Sequence, residues 1–316
     1  MHWEWCSLFM VFLEFTGPSQ ESKNREMKNS FKLAVIFVLS MMLASCKKEK
    51  NAPSYHKGDL TIFTDESFQS VTEALAEGYM INYPETHIKV ETKKEDLGLL
   101  DLLKGSAKVV VMSRNLTPEE IKTYEERTDL KFLPARFAAD AVVFVVPKDS
   151  PKESISMDEI NSGLMSDKKE FIFDGTNSSN LNFVAEKLKK QPKDLKFSII
   201  PGNQKIIEEL GKYPDKIGVI GLNTFSRPYD KTSEKLREMV KVLPVVEKGK
   251  SYNADFDGLR TMEYPFTRVL YFLINEGNFN IANGFIRFSC THLGQKIVQK
   301  EGLQPYNLYK REVQMR

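Results

Sequence analysis

The chain has 316 residues, with 45 Lys or Arg against 43 Asp or Glu, so its formal net charge is +2 at pH 7. This near balance excludes the basic surplus that is typical of nucleic-acid-binding proteins, and we expect no nucleic-acid partner.

The first predicted element is a secretory signal. Residues 33–42 form an apolar run after Lys28 and Lys32, and the sequence becomes charged directly after Cys46. The run is shorter than the ~20 residues of a membrane span, which favours a signal over a spanning helix. Residues 43–46 (Leu-Ala-Ser-Cys) resemble the lipobox of bacterial lipoproteins, which implies diacylation of Cys46 and stable anchoring to a bilayer. The alternative is an ordinary N-terminal membrane helix with a chance cysteine.

The signal most naturally begins at Met27, so residues 1–26 are an upstream extension from a misassigned start codon or a long n-region. We exclude residues 1–45 from the fold and predict a lipid tether over residues 46–58. With Cys6 removed and Cys46 acylated, Cys290 is the one cysteine left, so no internal disulfide is expected. The remaining length of about 270 residues is enough for two lobes.

Strands and helices alternate along the rest of the chain, which predicts an α/β fold with a parallel, doubly wound sheet. The predicted strands are 60–63, 87–91, 108–112, 137–147, 170–173, 197–200, 216–221, 242–246 (which would cross back to the first lobe) and 264–274. The predicted helices begin near residue 68, at 96–103, after Thr117, after Ser156, and at 181–188, 204–210 and 280–300, with residues 226–241 looped or helical on the surface.

Three polar turns each follow a strand and precede a helix. They contain Thr64, Asp65, Glu66 and Ser67; Ser113, Arg114 and Asn115, with Thr117; and Asn177, Ser178, Ser179 and Asn180. Helix N-termini attract anions, and ligands of open α/β sheets bind at the carboxyl ends of strands, so these turns predict a shared binding cleft. For any one turn, helix capping alone is the better explanation, and the occurrence of three such turns, one of them with Arg114, favours the cleft.

Arg114 is the candidate for pairing with an oxyanion through its bidentate fork. The alternative for this residue is a surface salt bridge with Glu119 or Glu120.

Signatures of enzymes are missing from the sequence. It contains no nucleophile elbow, no P-loop and no dinucleotide-binding glycine motif, and its four histidines are isolated. None of them is spaced with cysteine or carboxylate as in a metal site. We therefore predict a protein that is not an enzyme and that has no catalytic residues, metal or cofactor.

Taken in order, several motifs resemble those of the substrate-binding proteins of phosphate ABC transporters, in the type II periplasmic binding protein superfamily. They are the first strand, turn and helix and residues 111–120, 139–146, 218–221, 264–271, 284–288, 294–298 and 302–305. The resemblance implies two α/β lobes with doubly wound mixed sheets, joined by hinge strands, that close over an anion. By that pattern lobe I is 59–146 plus 245–316, and lobe II is 147–244.

The resemblance also places ligand-binding residues. These would be Thr64, Asp65, Glu66 and Ser67 in the first turn, Ser113 and Arg114 in the second, Ser178, Ser179 and Asn180 in the third, and Asp140. Typical members have Gly-Ser-Thr-Ser as the first turn, whereas this chain adds two carboxylates there. Typical members also place an arginine before the third turn, where this chain has Asp174.

The function that the resemblance implies is a lipid-anchored, periplasmic and monomeric receptor. It would bind phosphate or a related small oxyanion between its lobes and deliver it to an ABC permease of the membrane. The alternative is a sensor or interaction lipoprotein outside transport, with the same fold and a different ligand.

Overall fold

The structure is a computed structural model, and it describes residues 54–308. Cys46, the signal and most of the tether therefore lie outside the described residues. The described strands are β1 (Lys57–Thr64), β2 (Glu85–Thr92), β3 (Val109–Met112), β4 (Ala135–Pro147), β5 (Ile155–Ser156), β6 (Phe171–Phe173), β7 (Ser198–Ile199), β8 (Ile217–Gly221), β9 (Val240–Val242), β10 (Val245–Glu247), β11 (Lys250–Tyr252), β12 (Thr267–Ile274) and β13 (Gln304–Pro305).

The helices follow the strands in the predicted alternation. They are α1 (Gln69–Asn82), α2 (Glu95–Leu103), α3 (Pro118–Thr128), α4 (Met157–Met165), α5 (Ser179–Lys187), α6 (Asn203–Glu209), α7 (Lys231–Met239), α8 (Phe256–Arg260), α9 (Ile281–Ser289) and α10 (His292–Lys300). None of the helices in residues 54–308 has the length and apolar character needed to cross a membrane.

One mixed sheet runs through the molecule in the order β2-β1-β3-β12-β4-β8-β6-β7. The strands at its two ends pair in parallel, whereas β4 and β12 pair antiparallel with their neighbours. The first half of β4 pairs with β12, and its second half, from Val142 to Val145, pairs with β8. A single long strand therefore joins two halves of the sheet, and the mixed sheet with a connecting strand that the family resemblance implies is confirmed.

Each half of the sheet has its own apolar core. In the first half, Ile62, Val111 and Phe272 belong to a cluster on one face, and a smaller cluster around Val110 covers the other. The second half is organised around a cluster that includes Phe144 and Phe171. The fold thus has two lobes that share β4.

Local sequence signals set several helix starts. Thr117 with Glu120, and Ser156 with Glu159, form capping boxes at the predicted starts of α3 and α4. Asp65 accepts a hydrogen bond from the backbone N–H of Ser67 and caps the 3₁₀ turn Glu66–Phe68, which leads into α1.

The prediction that residues 242–246 form one strand that crosses between the lobes is wrong. The segment is divided between β9 and β10 at Pro244, which has no N–H to donate to a strand ladder. The strand β10 pairs with β5, and Val245, Leu259 and Phe266 lie in the core of the second lobe. The predicted lobe boundaries remain a prediction, and we propose that the chain returns to the first lobe at Thr267 rather than at residue 245.

The predicted terminal helix 280–300 is also two helices, α9 and α10, separated at Cys290 and Thr291. Gln295 donates to the Ser289 carbonyl oxygen at 2.7 Å, which supplies a partner where α9 ends. Gly294 lies against the same turn, where a Cβ atom would come within 2.4 Å of the Phe288 carbonyl oxygen. The close approach of the chain to itself at this break therefore requires glycine at position 294.

A substitution at Phe144 tests whether β4 stabilises the apolar core of the second lobe. Its ring is fully buried and packs edge-on against Phe171 and Phe266. We expect Phe144→Ala to lower the free energy of unfolding by about 3–5 kcal/mol, because it leaves a cavity in a close-packed core. Urea denaturation measures the change. The control is Leu133→Ala at a side chain that is 79% exposed, which should change stability by less than about 0.5 kcal/mol.

Candidate functional site

Three segments of the chain meet at the carboxylate of Asp65, which is 1% exposed. Its Oδ1 accepts from the Ser67 N–H at 3.1 Å. Its Oδ2 accepts from the Glu95 N–H at 3.2 Å and from the Ser179 N–H at 3.1 Å. Glu95 and Ser179 are the first residues of α2 and α5, so the positive ends of two helix dipoles point at this carboxylate. Backbone N–H donors from both lobes thus converge on one carboxylate of the protein itself.

More charges surround Asp65. The Lys94 ammonium donates to the buried Asp174 carboxylate across the cleft. Burial, and next the charge of Asp65, raises the pKa of Asp174 above its ordinary value. Burial likewise raises the pKa of Glu66, whose Oε1 accepts from the Asn203 N–H at 2.9 Å. Carboxylates therefore outnumber cations around Asp65.

Glu95 connects the second predicted turn to this cluster. Its Oε1 accepts from the backbone N–H of Ser113 at 2.5 Å and from the Ser113 hydroxyl at 2.8 Å. Its Oε2 is buried and has no hydrogen-bond partner among the described residues. Burial is the main cause that raises the pKa of Glu95 to about 7, and Arg114 only partly offsets it. Glu95 is thus poised to change charge near neutral pH.

Arg114 pairs with carboxylates of its own lobe. Its guanidinium donates to Glu120 at 2.7 and 2.8 Å and to Asp96 at 2.9 and 3.2 Å. Of the two possibilities that the sequence left open, the structure shows the salt bridge with Glu120. A role for Arg114 in ligand binding stays a prediction, and it would require the guanidinium to leave these partners.

A second buried charge pair lies where β4 and β12 cross between the lobes. The antiparallel register sets Arg268 opposite Asp140. Arg268 donates to Asp140 Oδ2 at 2.7 and 2.9 Å and to the Ser179 hydroxyl at 3.3 Å, and both charged side chains are fully buried. The guanidinium also lies 5.0 Å from the centre of the Phe68 ring. Asp140 is therefore held as a partner of Arg268, directly behind the N-terminus of α5.

The remaining predicted site residues act locally. Thr64 shares a hydrogen bond with Thr72, and Ser178 caps α5 by accepting from the Leu181 N–H. Asn180 donates to Asn203 at 2.8 Å, while its Oδ1 is buried without a partner among the described residues. The structure therefore brings Asp65, Ser67 and Ser179 together, with Ser113 joined through Glu95.

Sequence reasoning missed four residues of this site: Lys94, Glu95, Asn203 and Arg268. Only Arg268 had a recognisable signal, since a lone arginine inside an apolar strand must find a buried partner.

Across residues 54–308, no group of three or more His, Cys, Asp or Glu side chains is arranged to hold a metal ion. A cavity of about 350 Å³ lies beside the site and is lined by Ser113, Phe183, Arg268 and Tyr271, among others.

A family model described as the PBP superfamily domain matches residues 49–291, which is most of the chain. The chain belongs to the PBP superfamily. This membership agrees with the two lobes, the shared crossing strand and the site between them.

Two curated relatives are similar over nearly their whole length. The phosphate-binding protein PstS of Pseudomonas aeruginosa is 22% identical over 288 residues, covering 80% of this chain and 86% of that protein. The phosphate-binding protein PstS of Borreliella burgdorferi is 22% identical over 292 residues, covering 85% and 96%. These matches confirm the predicted resemblance to phosphate ABC transporter substrate-binding proteins.

Solved structures confirm the two-lobed type II fold. A candidate phosphate ABC transporter substrate-binding protein from Clostridium perfringens, with bound phosphate, aligns with a TM-score of 0.64 at 20% identity, covering 78% of this chain and 99% of that one. An ABC-type phosphate transport receptor from Vibrio cholerae aligns with a TM-score of 0.58 at 18% identity, covering 78% and 99%. At identities of 20% and 18%, the likeness to these structures shows the fold of this chain and nothing more specific.

Glu95 makes the stability of this protein depend on pH. Its pKa is raised from 4.5 to about 7 in the folded state, where Asp65, Arg114 and Tyr271 face it. The unfolded chain releases this proton near pH 4.5 and the folded chain only near pH 7, so the stability that the protonated group contributes is lost as the pH rises through this window. A shift of this size corresponds to roughly 3 kcal/mol.

We expect Glu95→Gln to flatten the decline in stability between about pH 5 and pH 7.5, because the amide stays neutral and its oxygen still accepts from Ser113. Thermal unfolding measured across that range provides the test. Glu85→Gln, at an exposed salt bridge with Lys57, is the control and should keep the decline of the wild type. An equally steep decline in Glu95→Gln would contradict the assignment.

Proposed function

We propose that this chain is a lipid-anchored substrate-binding protein of an ABC transporter, and that it binds phosphate or a related small oxyanion between its lobes. One observation carries the proposal. Backbone N–H groups from both lobes, at Ser67, Glu95 and Ser179, converge on the two oxygens of a single carboxylate. Donors arranged in this way, at the starts of helices, suit an oxyanion.

The comparisons support the choice of phosphate. The curated relatives reported above are named phosphate-binding proteins, and one of the similar structures contains bound phosphate. This chain spans most of the length of each. The same comparisons support a role in transport, since the names of both similar structures include ABC-type transport of phosphate.

The remainder of the proposal follows from the sequence. Acylated Cys46 would hold the protein at the membrane on the periplasmic side, with the polar tether linking it to the lobes. There the protein would capture its ligand as a monomer and deliver it to a permease, without chemical change to the ligand.

A second candidate is a sensor or interaction lipoprotein that binds a different ligand. The observation in its favour is the acidic surroundings of the site, where Asp65, Glu66, Glu95 and Asp174 lie near one lysine, Lys94. Like charges in a buried site raise the cost of bringing in an anion. A gene for a permease beside the gene for this protein would favour the transport role.

Calorimetry of the mature protein tests the proposed function. We expect phosphate to bind with one-to-one stoichiometry near neutral pH, and to raise the free energy of unfolding by about 2.7 kcal/mol at a concentration of 100 times Kd. Sodium chloride at matched ionic strength is the control. If phosphate gives neither heat nor a thermal shift at any pH near neutral, the second candidate takes its place.

Lipid anchoring has a separate test in cells. We expect Cys46→Ala to abolish incorporation of a radiolabelled fatty acid and to leave an unprocessed precursor, because the thiol that is acylated is missing. Cys290→Ala is the matched control and should be labelled and processed like the wild type. Unchanged labelling of Cys46→Ala would contradict the lipobox.

A further inference from the structure

Asp65 does at this site what a bound oxyanion would do. Its side chain is 1% exposed, and both carboxylate oxygens accept hydrogen bonds, which come from the backbone N–H groups of Ser67, Glu95 and Ser179. Two of these donors start helices of nine residues, α2 and α5, in different lobes. The carboxylate therefore satisfies the donors and also links the lobes.

We propose that Asp65 is an internal competitor of the ligand, a tethered carboxylate that occupies the oxyanion position until the ligand displaces it. This inference deepens the proposed function and rests on it for the class of ligand. Two anions cannot accept from the same N–H groups at once, so ligand binding requires the Asp65 side chain to leave them.

The competition lowers affinity by a definite rule. The apparent Kd equals the intrinsic Kd divided by the fraction of molecules in which the donors are free. A tethered group competes at an effective concentration on the order of mM or more, and in the structure the Asp65 carboxylate is bound to the donors. If the donors are free in about a tenth of the molecules, the affinity for phosphate falls about tenfold.

Other groups at the same two helix starts are incompletely satisfied. Glu95 Oε2 and Asn180 Oδ1 are buried without a hydrogen-bond partner among the described residues. Both residues lie in the first turns of α2 and α5, beside the N–H groups that Asp65 accepts from. A protonated oxyanion carries O–H groups that a carboxylate lacks, so it could supply donors that Asp65 cannot.

The experiment compares the phosphate affinity of the wild type with that of Asp65→Ala and Asp65→Asn by calorimetry and by thermal shift. We expect Asp65→Ala to unfold at a lower temperature without phosphate, to bind phosphate about tenfold tighter or more, and to regain stability with phosphate. Asp65→Asn removes the charge at constant volume and should also bind more tightly than the wild type.

Two further variants make the result specific. Asp255→Ala removes another capping carboxylate, which accepts from the Gly258 N–H at 2.8 Å, and should lose stability without any gain in phosphate affinity. Ser179→Pro, added to Asp65→Ala, removes the N–H at the first position of α5, where proline is tolerated. It should abolish most of the gained affinity, because phosphate then lacks one of the N–H donors.

The outcomes separate the two proposals. If the wild type binds phosphate and both Asp65 variants bind equally or more weakly, Asp65 is not a competitor of the ligand, and weaker binding would make it a part of the ligand site. If only the Asp65 variants bind, the competitor is confirmed and the wild type is no phosphate receptor. If no variant binds phosphate, both proposals fail. Should the variants not fold alone, folding rescued by phosphate supports the competitor, and lack of rescue overturns it.

Discussion

The buried carboxylate of Asp65 is the constraint on which the arrangement of this molecule depends. An ionised carboxylate that leaves water must be compensated by hydrogen bonds or by charge, or it costs several kcal/mol. Here backbone N–H groups from three segments supply the compensation, one from its own turn and one each from the starts of α2 and α5. Their positions are fixed together, since moving any of the three removes a donor from a buried charge.

Arg268 and Asp140 form the second buried charge pair, at the crossing of the two shared strands. Removing either partner would leave an unpaired charge in the interior, which is far more costly than the pair is stabilising. Arg268 also donates to the hydroxyl of Ser179, the same residue whose N–H reaches Asp65. The crossing strands and the cleft are thus connected through the first residue of α5, so the crossing supports the geometry of the site.

A cluster of buried and half-buried carboxyl groups surrounds Lys94 in this member of the PBP superfamily. Asp65 accepts from N–H groups at the starts of two helices, and Glu66, Glu95 and Asp174 add to the negative charge around Lys94. Burial raises the pKa of each of the last three carboxyl groups. Of these groups, Glu95 can reduce the negative charge near neutral pH by taking up a proton, because its pKa is raised to about 7.

The sequence by itself determined the alternation of strands and helices, the capping boxes and the presence of Asp65, Ser67 and Ser179 in turns that face a cleft. Those features depend on hydrophobic periodicity and on side chains that bond to nearby backbone groups, both of which are local. The tertiary structure alone decided that Asp65 occupies the donors, that Arg114 pairs with Glu120 and Asp96, that Arg268 lies behind α5, and that residues 242–246 do not cross back. These depend on contacts between residues that are distant in the chain, where strand register and the compensation of buried charge choose the partner.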